Sequence, residues 1–293
     1  MFNKEVIQSK WKEIRLSAYL LNRNLLTRSA IIVLLVLVLC AIFAPWIVPY
    51  SKDTVTATHP ESILLRPSMQ HLFGTDELGR DIFSRVIYGT RISLVSACIT
   101  VFFAMVLGTV LGAVAGAVGG KVDTIIMRCT DVFLSFPSIL LAILVAAFLG
   151  PSLRNAQIAM VISWWPWYTR IMRGEAISIK ERQYIKAADT IGTPKIVTIF
   201  KHIIPNGLSP IIIQASMDMG AVVTTLASLG FLGLGAQPPI PEWGLMVSTS
   251  KSYFLNAWWY VTFPALFIFI TVLIFNIIGD GLREVLDPKT RKI

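Results

Sequence analysis

The sequence predicts an all-α protein that crosses a membrane six times. Three observations point there. Apolar residues make up 55% of the 293-residue chain against 15% charged. Six stretches are almost free of charge over the length a crossing needs, and Trp and Tyr gather at the ends of two of them. A soluble domain carries about 25% charged residues. A mean hydropathy of +0.68 leaves more apolar surface than one aqueous core can absorb, so lipid must solvate the excess. Soluble enzyme, secreted scaffold and disordered chain are thereby set aside.

A helix needs about 20 residues to cross roughly 30 Å of hydrocarbon at about 1.5 Å per residue. The first such run is 30–48, the second lies within 92–120, and the third is 132–153. The fourth, 155–169, is short and crowded with Trp164, Trp165, Trp167 and Tyr168. The fifth starts after Pro205 and reaches the Gly235 region, interrupted once by Asp218. The sixth lies within 252–279, with Trp258, Trp259 and Tyr260 at one end as an interfacial belt would be. Six Lys or Arg precede the first run and no A-x-A cleavage site follows Pro45-Trp46, so it reads as an anchor rather than a signal peptide.

Basic residues set the orientation. With six crossings, 19 of the 26 Lys and Arg fall on the side of the N-terminus. Five of the other seven share the long segment after the first crossing with five acids. The positive-inside rule then places both termini in the cytoplasm. The net charge of +9 follows from this asymmetry, and no nucleic-acid partner is needed to explain it.

Several chemistries are missing. Cys40, Cys98 and Cys129 sit in or beside apolar runs without C-x-x-C spacing, which suggests neither a disulfide framework nor a zinc site. His59, His71 and His202 are scattered, so metal chemistry is unsupported. Gly120-Lys121 is followed by Val122, and position 115 is Ala115, so the phosphate-cradling G-x-x-x-x-G-K-[ST] fails at both ends. There is no G-x-S-x-G elbow for a serine nucleophile. The chain is expected to bind no cofactor, to bind no ATP and to catalyse nothing itself.

The stretch 170–205 is the most charged in the chain. Residues 175–191 combine helix formers with a basic face (Lys180, Arg182, Lys186), which predicts a helix along the membrane surface. Gly192 stops it, and Thr193-Pro194 restart the chain as N-cap and first helical residue. A second helix carries Ile196, Ile199, Phe200 and Ile203 on one face until Pro205 ends it. Such a loop is either a plain amphipathic connector or a docking element for a cytoplasmic partner.

Here the residues carry a resemblance. Ala187-Ala188, Gly192 and Ile204-Pro205 are similar in spacing to the E-A-A loop of the permease subunits of ATP-binding cassette (ABC) importers, with Lys186 where that pattern has its leading Glu. Phe73-Gly74-Thr75-Asp76-Glu77-Leu78-Gly79-Arg80-Asp81, with Ser84-Arg85 following, resembles the signature of the dipeptide and oligopeptide permease "C" subunits. So do 230–239 with Pro241-Glu242-Trp243-Gly244, and Gly279-Asp280-Gly281-Leu282-Arg283 with Leu286-Asp287-Pro288.

The resemblance implies a type I ABC importer permease: a cytoplasmic segment 1–29, a first crossing and external loop over 30–90, a permease core over 91–282, and a tail from 283. It implies that Lys186, Ala187, Ala188, Gly192, Ile204 and Pro205 form the loop that couples to an ATPase. It also implies four partners besides lipid: a paralogous second permease, two cytoplasmic ATPases that bind ATP and magnesium, and an extracytoplasmic binding protein. The implied place is a bacterial or archaeal cytoplasmic membrane. The implied substrates are di- or oligopeptides, with nickel or glutathione as alternatives, and the loop around Pro238, Pro239 and Trp243 would sit at the outer mouth.

Four further features stand apart from that pattern. Gly108, Gly112, Gly116 and Gly120 recur every four residues, the small-xxx-small device for close helix packing. Asp218 lies about 16 to 20 Å deep in the fifth crossing and reads as a pathway-lining group or a packing residue. Arg128 and Asp131 are spaced for a local ion pair. Pro137 and Pro166 are either kink positions or prolines simply tolerated in membrane helices. The rival readings are a gradient-driven secondary transporter, for which only Asp218 speaks, and an intramembrane hydrolase, which lacks a nucleophile constellation.

Overall fold

Apolar length decides the long elements. In the computed structural model, which describes residues 24–286, four helices are long and apolar enough to cross a bilayer. They are α1 (Leu25–Ile47), α2 (Ile82–Val118), α7 (Leu208–Phe231) and α9 (Trp258–Leu286). The pair α3 (Gly120–Leu134) and α4 (Ser138–Leu149), bent by 88°, is long and apolar enough only when taken together, as a broken span or a re-entrant loop. No strand occurs among the described residues, where Thr75 and Asp81 form a single antiparallel bridge. Most of the expected N-terminal segment, and the tail with Asp287-Pro288, lie outside the described residues.

The six expected crossings are therefore four by length and composition, or five with the bent pair. Two of the expected runs account for the difference. The third, 132–153, straddles a corner at Ser135–Pro137, where Pro137 stands as N-cap of α4 instead of continuing α3. The fourth lies inside α5 (Leu153–Lys180), whose 28 residues span about 42 Å. α5 is less apolar than the four long helices because Asn155, Gln157 and the Trp-, Pro- and Tyr-rich stretch 163–169 are part of it, together with Arg154, Arg170, Arg173, Glu175 and Lys180. It does not need a lipid-like composition, since it forms with α2 the most extensive helix pair in the molecule and buries Tyr168, Met172 and Ala176 completely.

That pairing rests on absent side chains. A Cβ built on Gly108 would lie 2.4 Å from the Trp165 carbonyl oxygen, one on Gly112 2.4 Å from that of Thr169, and one on Gly116 2.6 Å from Ala176 Cβ. The backbones of α2 and α5 thus touch along three consecutive turns. Gly120 does not belong to this stripe. α2 ends at Val118, Gly119 caps it at φ 72°, and Gly120 opens α3 at φ 56° with nothing within 4 Å of its Cβ position.

Around this seam, α1 shows a strip of period about 3.5 (Thr27, Ala30, Leu37, Ala41, Ala44) and leaves its other faces exposed. Ala97, Val101, Met160, Val222, Leu226 and Ile274 form the middle of the core. Ala113, Ala117, Ile179, Ile185, Ile199 and Ile203 close one end of the bundle, while Ile82, Val86, Met246, Trp259 and Tyr260 close the other.

The second end carries a cap over residues 50–81, ending earlier than the 50–90 loop expected because α2 begins at Ile82. Charge holds it. Asp81 accepts from Ser84 N at 2.8 Å as N-cap of α2, and Asp53 accepts from Asp81 N at 2.8 Å. Asp76 takes Arg80 through backbone N and Nε at 2.9 and 2.7 Å. His59 and His71 contact Asp53 and Asp81 at 2.9 and 3.0 Å.

The hydrogen bond to Asp53 raises the His59 imidazole above its usual 6.5. A raised folded-state value means stability that is complete below 6.5 and lost as pH climbs through the raised value. His59→Gln should therefore lower the thermal midpoint in acid buffer and leave it unchanged in alkaline buffer; an equal loss at both would show that the contact does not titrate. Gly112→Leu should cost about 1–3 kcal/mol or more by forcing α2 from α5. Gly120→Ala, strained but unopposed, should cost about 1 kcal/mol, and thermal unfolding in detergent ranks the two.

Candidate functional site

The end of the bundle opposite the cap is built by the continuation of α5. Ser152 caps it at one end, accepting from Asn155 N at 3.0 Å, and the rod runs unbroken to Lys180. At the far end the Arg182 amide turns back to the Ile179 carbonyl at 3.0 Å. A separate helix, α6 (Gln183–Thr190), then begins. The single surface helix expected over 175–191 is thus two elements: 175–180 ends the rod, and only eight residues form α6.

α6 is held by one side chain. Ile185 is 1% exposed and joins Ile179, Ile199 and Ile203, whereas Tyr184, Lys186, Ala187 and Asp189 are exposed. Lys186 Nζ lies 2.8 Å from Glu181 Oε2 and holds that carboxyl below its usual range. Both partners are exposed, so the pair orients the helix more than it anchors it.

Its C-terminus is a full Schellman motif. Thr193 N donates to Ala188 O and Gly192 N donates to Asp189 O, each at 3.0 Å, with Gly192 at φ 80°. Nothing lies within 4 Å of the Gly192 Cβ position, so the glycine serves the backbone angle alone.

The return segment differs from the expected helix. Pro194, not Thr193, is the N-cap of Lys195–Thr198. Ile199–Ile203 form a π turn, and Ile204–Asn206 carry Pro205 in a first helical turn, so the break before α7 falls at Gly207. The π turn lets Ile204 N reach back to Ile199 O, next to a proline that has no N–H to give. Of the apolar face expected here, Ile199 and Ile203 are buried, while Ile196 and Phe200 are exposed, as is Ile191 at 83%. With Lys186, Lys195 and Lys201 this makes an apolar and cationic surface.

Two ion pairs that the sequence did not suggest tie this end together. Arg173 grips Asp123 of α3 with Nε and Nη2 at 2.5 and 2.6 Å. Arg170 meets Asp131 at 2.7 Å, so Asp131 pairs with α5 rather than with Arg128 as its spacing suggested. The contacts join residues 39 and 50 positions apart, beyond any local spacing rule. Asp218 lies on the α5–α7 seam, 7% exposed, accepting from Gln214 at 2.9 Å with Tyr168 and Trp164 of α5 facing it. Its Oδ2 and the Tyr168 hydroxyl have no regular hydrogen-bond partner among the described residues.

Residues 108–292 match the family model described as binding-protein-dependent transport system inner membrane component. The chain belongs to that family, the permease subunits of ABC importers. Residues 21–67 match a second model, the N-terminal TM domain of oligopeptide transport permease C.

Among relatives, the permease is 45% identical to the dipeptide transport system permease protein DppC of Alkalihalophilus pseudofirmus, over 97% of this chain and 91% of that one. It is 42% identical to the probable D,D-dipeptide transport system permease protein DdpC of Escherichia coli, over 92% and 90%. It is 44% identical to the glutathione transport system permease protein GsiD of Escherichia coli, over 92% and 88%. A solved structure of the MetNI methionine ABC transporter, inward facing, superposes with a TM-score of 0.57 over 70% of this chain and 97% of that one, at 18% identity. At that identity the likeness concerns the fold, a type I permease. The permease is a multi-pass inner membrane protein, and the hydrolase and secondary-transporter readings fall away.

Because Arg173 and Asp123 bond side to side, exchanging them preserves the charges. Arg173→Asp alone should destabilise the purified permease, and adding Asp123→Arg should recover most of the loss. Recovery is read from thermal midpoints in detergent; a double variant as unstable as the single one would mean that the pair carries nothing.

Proposed function

We propose that this permease forms half of the pathway of an ATP-driven importer of di- or oligopeptides and couples to its ATPases through α6. The observation that carries the coupling is α6 itself: an exposed helix, fixed by Ile185 to the end of a rod that runs the height of the bundle and turned by a rigid glycine corner into the return segment. A partner that pushes on α6 moves α5, and α5 moves α3 through the Arg173 and Arg170 pairs. The peptide class is supported by the dipeptide names of two relatives. Glutathione, itself a small peptide, is the second reading, favoured by the third.

Both termini and α6 then face the cytoplasm, and the cap faces outward. Two ATPase subunits hold ATP and magnesium, a paralogous permease supplies the other half of the bundle, and a binding protein delivers substrate to the cap side. ATP binding draws the ATPases together, α6 follows, and the bundle opens outward; hydrolysis resets it. No residue of this chain takes part in the hydrolysis.

The reading is tested by purifying the tagged permease from its native membrane in gentle detergent. Two ATPases and a second permease should co-purify, with hydrolysis stimulated by the binding protein and dipeptide; recovery of the chain alone, beside an intact control importer, would overturn it. In the same preparation Gly192→Val should cost about 1–2 kcal/mol at the corner, roughly 5- to 30-fold in its population, and depress stimulated hydrolysis accordingly. Gly192→Asn, which accepts the left-handed angle, should stay closer to normal. Unchanged stimulation in Gly192→Val would refute the coupling assignment.

A further inference from the structure

The cap and the segment 238–249 close over a cavity of about 420 Å³ at the end of the bundle away from α6. Its floor is cationic. Arg80 and Arg85 line it although they are only 5% and 4% exposed. They share one carboxylate, Asp76, at 2.7 Å from Arg80 Nε and 3.5 Å from Arg85 Nε. Arg85 spends Nη1 on the Asp53 carbonyl at 2.9 Å. Each guanidinium has five N–H donors, so these contacts leave donors in excess of acceptors.

The opposite charge lines the same cavity. Glu77 Oε1 lies 3.6 Å from Arg80 Nη2, while its Oε2 is buried without a hydrogen-bond partner among the described residues. The Tyr260 hydroxyl faces Glu77, but Thr249 gives its own proton to the Met246 carbonyl at 3.1 Å and takes that of Tyr260 at 2.8 Å, so Oε2 still lacks a donor. A buried carboxylate oxygen with no donor is costly, and a ligand donor relieves that cost. Thr249 adds a hydroxyl, Thr56 stands at the exposed rim, and Pro239 and Met246 are part of an apolar wall.

A simple anion would meet Glu77, and a simple cation would meet two arginines. A small zwitterion satisfies both. We propose that this cleft is a peptide-binding site on the outer face of the permease, in which Arg80 and Arg85 take the free carboxylate of a short peptide and Glu77 takes its free ammonium. That the zwitterion is a peptide rests on the importer reading above; the demand for both charges rests on the cleft. The site would hold substrate between its release by the binding protein and its entry into the bundle.

The test uses the intact importer in nanodiscs, with Thr56→Cys at the exposed rim as a reporter and a membrane-impermeant maleimide as the reagent. The chain without that substitution supplies the background from Cys40, Cys98 and Cys129. At ten times its dissociation constant, dialanine should slow modification roughly tenfold, whereas its C-terminal amide and its N-acetyl form should not. Glu77→Gln should lose the preference for a free amino terminus, and Arg80→Gln should lose protection altogether. Should Arg80→Gln fail to assemble, the Glu77→Gln comparison decides alone. Equal protection by all three peptides overturns the site. No protection by dialanine in a complex that imports dialanine overturns the site and leaves the importer reading standing. Protection by empty binding protein and not by peptide would make the cleft a docking surface instead. Protection by dialanine in a complex that imports no peptide would keep the cleft and remove the importer reading.

Discussion

The rest of the molecule depends on how closely α2 and α5 approach. Three glycines on α2 leave no room for a side chain between the two backbones, and the contact repeats over three turns. Packing on α2 buries the apolar face of α5, while Arg170 and Arg173 on the same helix turn to Asp131 and Asp123 of α3. The same rod ends in α6. Small residues in the middle of the bundle thus permit a charged, protruding structure at its end.

The two ends use different physics. At the α6 end, apolar anchoring is confined to a few isoleucines, and much of the polar surface is exposed. At the cap end, buried aspartates, arginines and two histidines hold a segment with little regular structure, and they do so by closing contacts with one another. The first arrangement leaves a surface open to a partner. The second fixes the start of α2 and walls one side of a cavity.

Much of this was legible in the sequence. Charge-free runs located α1, α2, α7 and α9, because lipid and burial both demand apolar length and few other constraints act there. Gly192 announced its left-handed corner, since only a local backbone angle was at stake. Pro137 marked a kink position but not the full corner between α3 and α4, because an apolar run with one proline reads alike whether it is bent slightly or turned. The Arg173–Asp123 and Arg170–Asp131 pairs were hidden for another reason: their partners lie on different helices, and spacing along one helix offered Asp131 a nearer and wrong mate in Arg128. Gly120 was misassigned because a four-residue period continues past the residue where the helix stops. The cleft was invisible, since its arginines and its far wall are more than 150 residues apart in the chain.

The turn between α3 and α4 has a consequence for the lipid around it. α4 has 12 residues and covers about 18 Å, well short of the roughly 30 Å of hydrocarbon that surrounds it. Its outer side carries Leu140, Leu144 and the 89%-exposed Phe148. Lipid meeting that face must thin locally, and the elastic cost grows with each ångström of mismatch. A second protein chain laid over α4 removes the cost. Bilayer elasticity therefore disfavours an α4 left bare to lipid, independently of any specific contact.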